Sequence, residues 1–388
     1  MNNAINLTGL KIWDGHNTLE ADTLQIQAGK ITFIGPREAV TGPTQNCAGL
    51  TAIPGLIDAH VHLELNPDNQ NPPLQTDPAV IPLMHQRAFQ MAQAGITTAR
   101  DLGGGAWYEL NLRDQIARGE VIGPRLLCSG QPITSPQGHC HFWGGEAKTL
   151  AEALTVLQRQ VGKGVDLIKI MATGGRLTHG SKPTDSQFSQ DILDALVATA
   201  HSHKLPVAAH CHGTEGIHRA ALAGVNTIEH CSWVGRQGWA GDFQEDVAKV
   251  ILNNGIWVSP TVNRGWQRML DNPTNGVLHR VRSAYQKMLS MGIPLVASTD
   301  AGIPGVYHAD LPHALRVFSE IAQLSPAQVL QTATSNAALA LGIAQTTGTL
   351  AIGRDADVLL LDGNPIDDLS AVTRPVQVYC RGRGVLTD

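Results

Sequence analysis

The sequence predicts an α/β fold: a (β/α)8 TIM barrel over residues 55–345, with a small β-sandwich domain formed by residues 1–54 and 346–388 together. Two observations carry this expectation. Between about 55 and 345, apolar strand-like runs alternate with helix-like stretches eight times, the pattern of parallel strands joined by crossover helices. Both ends of the chain read instead as short strands, and neither is large enough to bury a good core alone, so the two are expected to pair.

In the first segment, Leu10–Trp13, Leu24–Ala28 and Lys30–Ile34 read as strands. The alternation Leu24/Ile26/Ala28 marks a half-buried strand, and Gly29 marks a hairpin. The last segment offers Asp357–Leu361 and Val376–Cys380, with turns at Gly353 and at Gly363-Asn364-Pro365. The barrel strands are expected at Gly55–His62, Thr97–Leu102, Arg125–Ser129, Val165–Met171, Pro206–His210, Thr227–His230, Trp257–Thr261 and Pro294–Thr299. Helices are expected between them, among them Ser189–His203, capped by Asp185 or Ser186, and Ser325–Leu341, opened by Ser325-Pro326.

Composition narrows the function. Apolar residues make up 43% of the 388, ample for a large core, and the net charge is only -5, so neither nucleic acid nor an anionic membrane is an expected partner. There is no uninterrupted apolar stretch of about 18 residues and no basic-then-apolar N-terminus, so neither a membrane span nor a secretory signal is expected. Six scattered cysteines without a C-x-x-C pair read as reduced thiols of a cytoplasmic protein. Sixteen histidines is the unusual count, and many adjoin strand-like runs.

In an eight-stranded barrel, catalytic groups gather at the carboxyl ends of the strands. The first strand ends with His60 and His62, whose i, i+2 spacing puts both side chains on one face. The fourth carries Lys169 in an apolar run, the fifth ends at His210, the sixth at His230 and the eighth at Asp300. A lone strand-end histidine is more often a structural hydrogen-bonding group, and Asp300 has an alternative role as a helix cap. A buried unpaired ammonium at Lys169 is costly, however, and the barrel rule brings all of these residues to one rim. Imidazole and carboxylate donors suit zinc and related divalent metals.

These stretches resemble the amidohydrolase superfamily of binuclear metal hydrolases, most closely its imidazolonepropionase-like and Xaa-Pro dipeptidase-like branch. The similarity rests on Ile53-Pro54-Gly55-Leu56-Ile57-Asp58-Ala59-His60-Val61-His62, on Gly95–Gly104, on Asp166–Gly175 and on Gly353-Arg354-Asp355-Ala356-Asp357-Val358. The resemblance implies two divalent ions, zinc first and Co, Mn or Fe as alternatives. It places one on His60, His62 and Asp300 and the other on His210 and His230, with Lys169 shared as an N6-carboxylysine. It further implies a hydroxide held between the ions as nucleophile and Asp300 as its proton acceptor. Because single-metal deaminases of this superfamily typically lack the bridging lysine, Lys169 favours hydrolysis over deamination.

Relatives carry a glycine-histidine in the loop after the third strand, and His139 fits that catalytic position best, with His141 as the alternative. Cys211 and Cys231 follow ligand histidines, and strand alternation is expected to turn them away from the metals into packing. His179, His212 and His308 fall either at the mouth or on the surface. Trp107, Trp143, Trp233 and Trp266 lie in segments after strands two, three, six and seven, which predicts an aromatic mouth; Arg176 and Arg264 lie in comparable segments and suit a carboxylate. Residues His141, Trp143, Arg176, Trp233 and Arg264 are therefore the candidate substrate contacts. The expected substrate is a small amide such as a dipeptide or N-acyl amino acid, the alternative is a cyclic amide of the imidazolone kind, and a homo-oligomer is expected.

Overall fold

The computed structural model describes residues 4–71, 77–272, 274 and 276–385. Residues 1–3, within the N-terminus read for a signal, and 386–388 lie outside the described residues.

The middle of the chain forms two parallel sheets. One contains β1 (Leu56–Val61), β2 (Ile96–Asp101) and β3 (Arg125–Cys128), in the order β3-β2-β1. The other contains β4 (Ile168–Met171), β5 (Val207–Gly213), β6 (Thr227–Val234) and β7 (Trp257–Ser259), in sequence order. β1, β2 and β4 are buried along their whole length, as near-continuous apolar runs in a parallel sheet covered by helices require. At one seam the sheets meet through the bridge between Ile133 and Ile170, and Ile133 N–H donates to the Lys169 carbonyl at 2.9 Å.

The expected eighth strand, Pro294–Thr299, forms no ladder. Leu295 bridges Val258 of β7 and Ala301 bridges Val61 of β1, both in parallel, and Ala59 N–H donates to the Ala297 carbonyl at 3.2 Å. Pro294 lacks an N–H, and the segment divides its few bonds between two neighbours, so no regular pairing forms. Asp58 also ties it to β1, accepting Thr299 Oγ1–H at 2.6 Å and Thr299 N–H at 3.1 Å.

Two helices depart from expectation. Gln190–Ser202 is preceded by Ser189, not by a cap at Asp185 or Ser186. The run from Ser325 is two helices, Pro326–Thr332 and Ser335–Ala340, broken where Thr334 leaves helical geometry at φ -136° and ψ -98°. Ser325 caps the first in a reciprocal box with Gln328.

Strands from the two termini share a six-stranded sheet in which Val358–Asp362 pairs antiparallel with Leu50–Pro54. A second sheet is built from Ile5–Thr8, Thr23–Gln27, Lys30–Gly35 and Thr44–Asn46. The hairpin after Gln27 turns through Ala28 at φ 49° and Gly29 at φ 79°, the left-handed pair that a two-residue connection requires. The apolar run Val358–Leu361 divides by alternation. Val358 and Leu360 join Leu7, Leu24 and Ile26 in a core between the terminal sheets, while Leu359 and Leu361 face the main core. Among the described residues, no helix is long and apolar enough to cross a membrane.

Candidate metal centre

His60 and His62 project together from the end of β1, their Nε2 atoms 3.3 Å apart. Asp300 Oδ1 lies 3.3 Å from His60 Nε2 and 3.4 Å from His62 Nε2, and the three form one potential metal-binding group. Each histidine is held from behind. His62 Nδ1 donates to the Gly103 carbonyl at 3.2 Å, which leaves a lone pair on Nε2. His60 Nδ1 lies 2.9 Å from Glu229 Oε2, and Arg100 Nη2 donates to Glu229 Oε1 at 2.7 Å. Burial alone would raise the Glu229 pKa; Arg100 and His60 outweigh it and hold the carboxyl well below its ordinary range. Burial, with Lys169 adding to it, pushes His60 down to about 4, so the ring is a neutral donor. Burial also works against ionisation of Asp300, and His60 and His62 overcome it, leaving a carboxylate.

The second group is His210, His212 and His230. His210 Nε2 donates to the Gly174 carbonyl at 3.1 Å, His212 Nδ1 pairs with Ser232 Oγ at 2.9 Å, and His230 Nδ1 pairs with Thr261 Oγ1 at 2.8 Å. The three ring centroids lie 4.5 Å from one another. Burial drives all three pKa values down, His212 to about 3. His212 belongs to this cluster, not to the surface; His210-Cys211-His212 repeats the i, i+2 spacing of His60 and His62, which was the available signal. Of the other two histidines left open by the sequence, His308 is buried with Nε2 3.0 Å from the His62 carbonyl oxygen, and His179 is exposed.

Lys169 lines the same cavity as both groups. It is 1% exposed, its Nζ has no hydrogen-bond partner among the described residues, and it perturbs His60 and Asp300 on one side and His210, His212 and His230 on the other. Burial brings its pKa down to about 8. A polar atom orphaned among imidazoles fits an anionic bridge far better than a bare ammonium.

The backbone explains how these residues converge. His230, Cys231, Trp233, Thr261 and Asp300 all have φ between 47° and 65°, a left-handed geometry uncommon for non-glycine residues. The break at His230 defeats strand alternation, so Glu229 and its sequence neighbour His230 both reach the centre. For the same reason Cys231 lines the cavity instead of turning away, whereas Cys211 packs its Sγ on the Gly216 carbonyl as expected.

A cavity of about 400 Å3 opens over both groups. His139 lines it, buried, with its ring 4.5 Å from His210, and burial lowers its pKa to about 3. His141 lies in the short turn His141–Trp143, outside the lining. Trp233, Trp239 and Trp266 line the cavity, but Trp143 is buried against His62 at 5.2 Å and Trp107 packs under Lys163, so neither forms the mouth. Arg176 lines the cavity with its guanidinium 5.0 Å from the Trp239 ring centroid. Arg264 does not: it points to Asp310 at 3.8 Å and is 62% exposed, while Arg268, one helical turn on, borders the cavity in its place.

The chain is similar to known proteins over nearly its whole length. The chain is 27% identical over 411 aligned positions to the ochratoxinase of Aspergillus niger, covering 95% of this chain and 83% of that protein. It superposes on a prolidase complexed with N-methylphosphonate-L-proline at a TM-score of 0.85 and 25% identity, covering 100% of both chains. A Xaa-Pro dipeptidase with bound methionine matches in fold at a TM-score of 0.85 and 24% identity, covering 98% of this chain and 99% of that one. A sequence model of the amidohydrolase family matches residues 51–385, from the strand before β1 to the end of the composite sheet. The histidine pair, the lysine and the aspartate thus lie within one continuous family match, and the chain belongs to the amidohydrolase family.

Proposed function

We propose that this metal-dependent amidohydrolase cleaves the amide C–N bond of a dipeptide or N-acyl amino acid, one with a free carboxylate and a sizeable apolar or aromatic part. We also propose that two divalent ions, zinc in the first instance, are bridged by a carboxylated Lys169. One observation carries the bridge: the buried Lys169 Nζ, without a hydrogen-bond partner among the described residues, in a cavity shared with two ligand groups, one of which contains no carboxylate. A neutral Lys169 amine adds to CO2 and loses a proton, giving a carbamate with two oxygens.

Two bound ions would polarise the scissile carbonyl and lower the pKa of an attacking water. The residues supply the rest. Asp300, kept ionised, takes a proton from the attacking water and returns it to the leaving nitrogen. His139 is placed to contact the carbonyl oxygen, and Glu229 and Arg100 hold His60 in its donor tautomer. Trp233, Trp239 and Trp266 suit the apolar part, and Arg176 and Arg268 suit the carboxylate. The names of the relatives, an ochratoxinase and a prolidase, support an amide substrate with an amino-acid half.

The architecture is part of the same proposal. We take the parallel strands and the 294–301 segment as one closed (β/α)8 barrel over residues 55–345, supported by the bridges at Leu295 and Ala301. The segments 1–54 and 346–388 form one β-sandwich domain, supported by their shared sheet and core.

A panel of dipeptides, N-acyl amino acids and cyclic amides, assayed with zinc-loaded protein, tests the substrate. Hydrolysis of N-acylated apolar or aromatic amino acids is expected. Turnover confined to neutral polar rings would refute it.

A further inference from the structure

Gly174 and Gly175 lie just past β4, and the two glycines face different neighbours. Gly174 packs against the Lys182 carbonyl, so a side chain there would collide with backbone. Its own carbonyl accepts from His210 Nε2 at 3.1 Å. At Gly175, a Cβ would stand 2.5 Å from both Cε1 and Nε2 of His139 and 2.8 Å from its Nδ1. Gly175 has no left-handed φ that would call for glycine. Its missing side chain therefore makes room for an imidazole and does not serve the course of the chain.

Packing decides where that imidazole goes. His139 is 6% exposed, and its Nδ1 has no hydrogen-bond partner among the described residues. Its ring centroid lies 4.5 Å from that of His210. The backbone beneath it is fastened: His139 N–H donates to Gln187 Oε1 at 2.6 Å, and Gln187 Nε2 donates to the Met171 carbonyl at 2.6 Å and to Thr134 Oγ1 at 3.0 Å. A ring on a fixed backbone, packed on Gly175 and His210, is placed by contact.

We propose that Gly175 is a positioning residue: the space it leaves sets the His139 imidazole against His210 and against the carbonyl of a bound amide. It acts only through the His139–carbonyl contact of the proposed hydrolysis. One turn then orients two imidazoles, His210 through the Gly174 carbonyl and His139 through the bare Gly175. A methyl group at 175 would need about 3.5–4.0 Å from the ring, so the ring would retreat by about 1 Å. A displacement of that size in a reacting group can cost about 10²-fold in rate.

The test uses full-length, zinc-loaded protein. The group that must yield is the end of a side chain, so G175A should fold with zinc content and Tm near wild type. Its crystal structure should show the His139 ring moved by about 1 Å. Its kcat on an N-acyl amino acid should fall by about 10²-fold with KM little changed. In an H139N background, where no imidazole remains to displace, the same change should cost less than about twofold. If G175A fails to fold, G175A/H139A should regain the Tm of H139A, because the colliding ring is gone. A displaced ring with undiminished kcat would overturn the proposal through His139, whose contact with the carbonyl belongs to the proposed hydrolysis. An unmoved ring, an equal loss in the H139N background, or a double variant that stays unfolded would overturn it through Gly175 itself.

Discussion

The two ligand groups each offer three side chains but differ in charge, two imidazoles and a carboxylate on one side against three imidazoles on the other. His60 and His62 share a carboxylate, Asp300, and His60 is backed by the ionised Glu229–Arg100 pair. His210, His212 and His230 are backed only by neutral groups, the Gly174 carbonyl and the hydroxyls of Ser232 and Thr261. The first side therefore offers a cation a built-in anion and a rigid frame. The second gains an anion only if Lys169 supplies one. On the proposed two-ion reading the centre is asymmetric, and the second ion is expected to be the more readily lost.

Changes on the two sides should sharpen this contrast. Asp300→Asn is expected to have the largest catalytic effect, lowering turnover by roughly 10²–10⁴-fold in steady-state assays, since it removes the proton carrier. Its metal content should stay largely intact; near wild-type turnover would remove Asp300 from the mechanism. His230→Asn should cut bound metal from about two equivalents towards one, because a side without its own carboxylate cannot spare an imidazole. Equal loss of both ions would contradict the asymmetry.

Glu229→Gln should be milder, weakening metal affinity on the His60 side by about 10–100-fold, as expected when the partner behind a ligand is altered. Competition with a chromophoric chelator measures it, and loss confined to the second site would refute the assignment. Leu359→Ala, in the composite terminal sheet, should cost about 2–5 kcal/mol in denaturant unfolding by opening a cavity. It should leave kcat/KM of folded protein nearly unchanged; a large kinetic defect would couple the two regions.

The strand-like runs of the sequence brought His60, His62, Lys169 and His210 to parallel strands, although β5 and β6 run on to Gly213 and Val234, past the ends expected at His210 and His230. What they could not supply depends on departures from alternation. His230 and Asp300 adopt left-handed backbone geometry, held there by tertiary contacts that no local pattern encodes. Glu229 and Arg100 escaped notice because a charged pair 129 residues apart in sequence is recognisable only once β2 and β6 face a common interior. His212 was legible in principle. The exchange of Arg264 for Arg268 was not, because it turns on the short helical turn Arg264–Trp266 that rotates the following side chains.

The bridge at Lys169 is the central claim, and 13C NMR of protein metallated under 13CO2 addresses it most directly. One carbamate carbon signal per chain is expected, present with two bound ions and absent from Lys169→Ala, which should also lose the second ion and its activity. A fully active protein with two ions and no carbamate signal would contradict it.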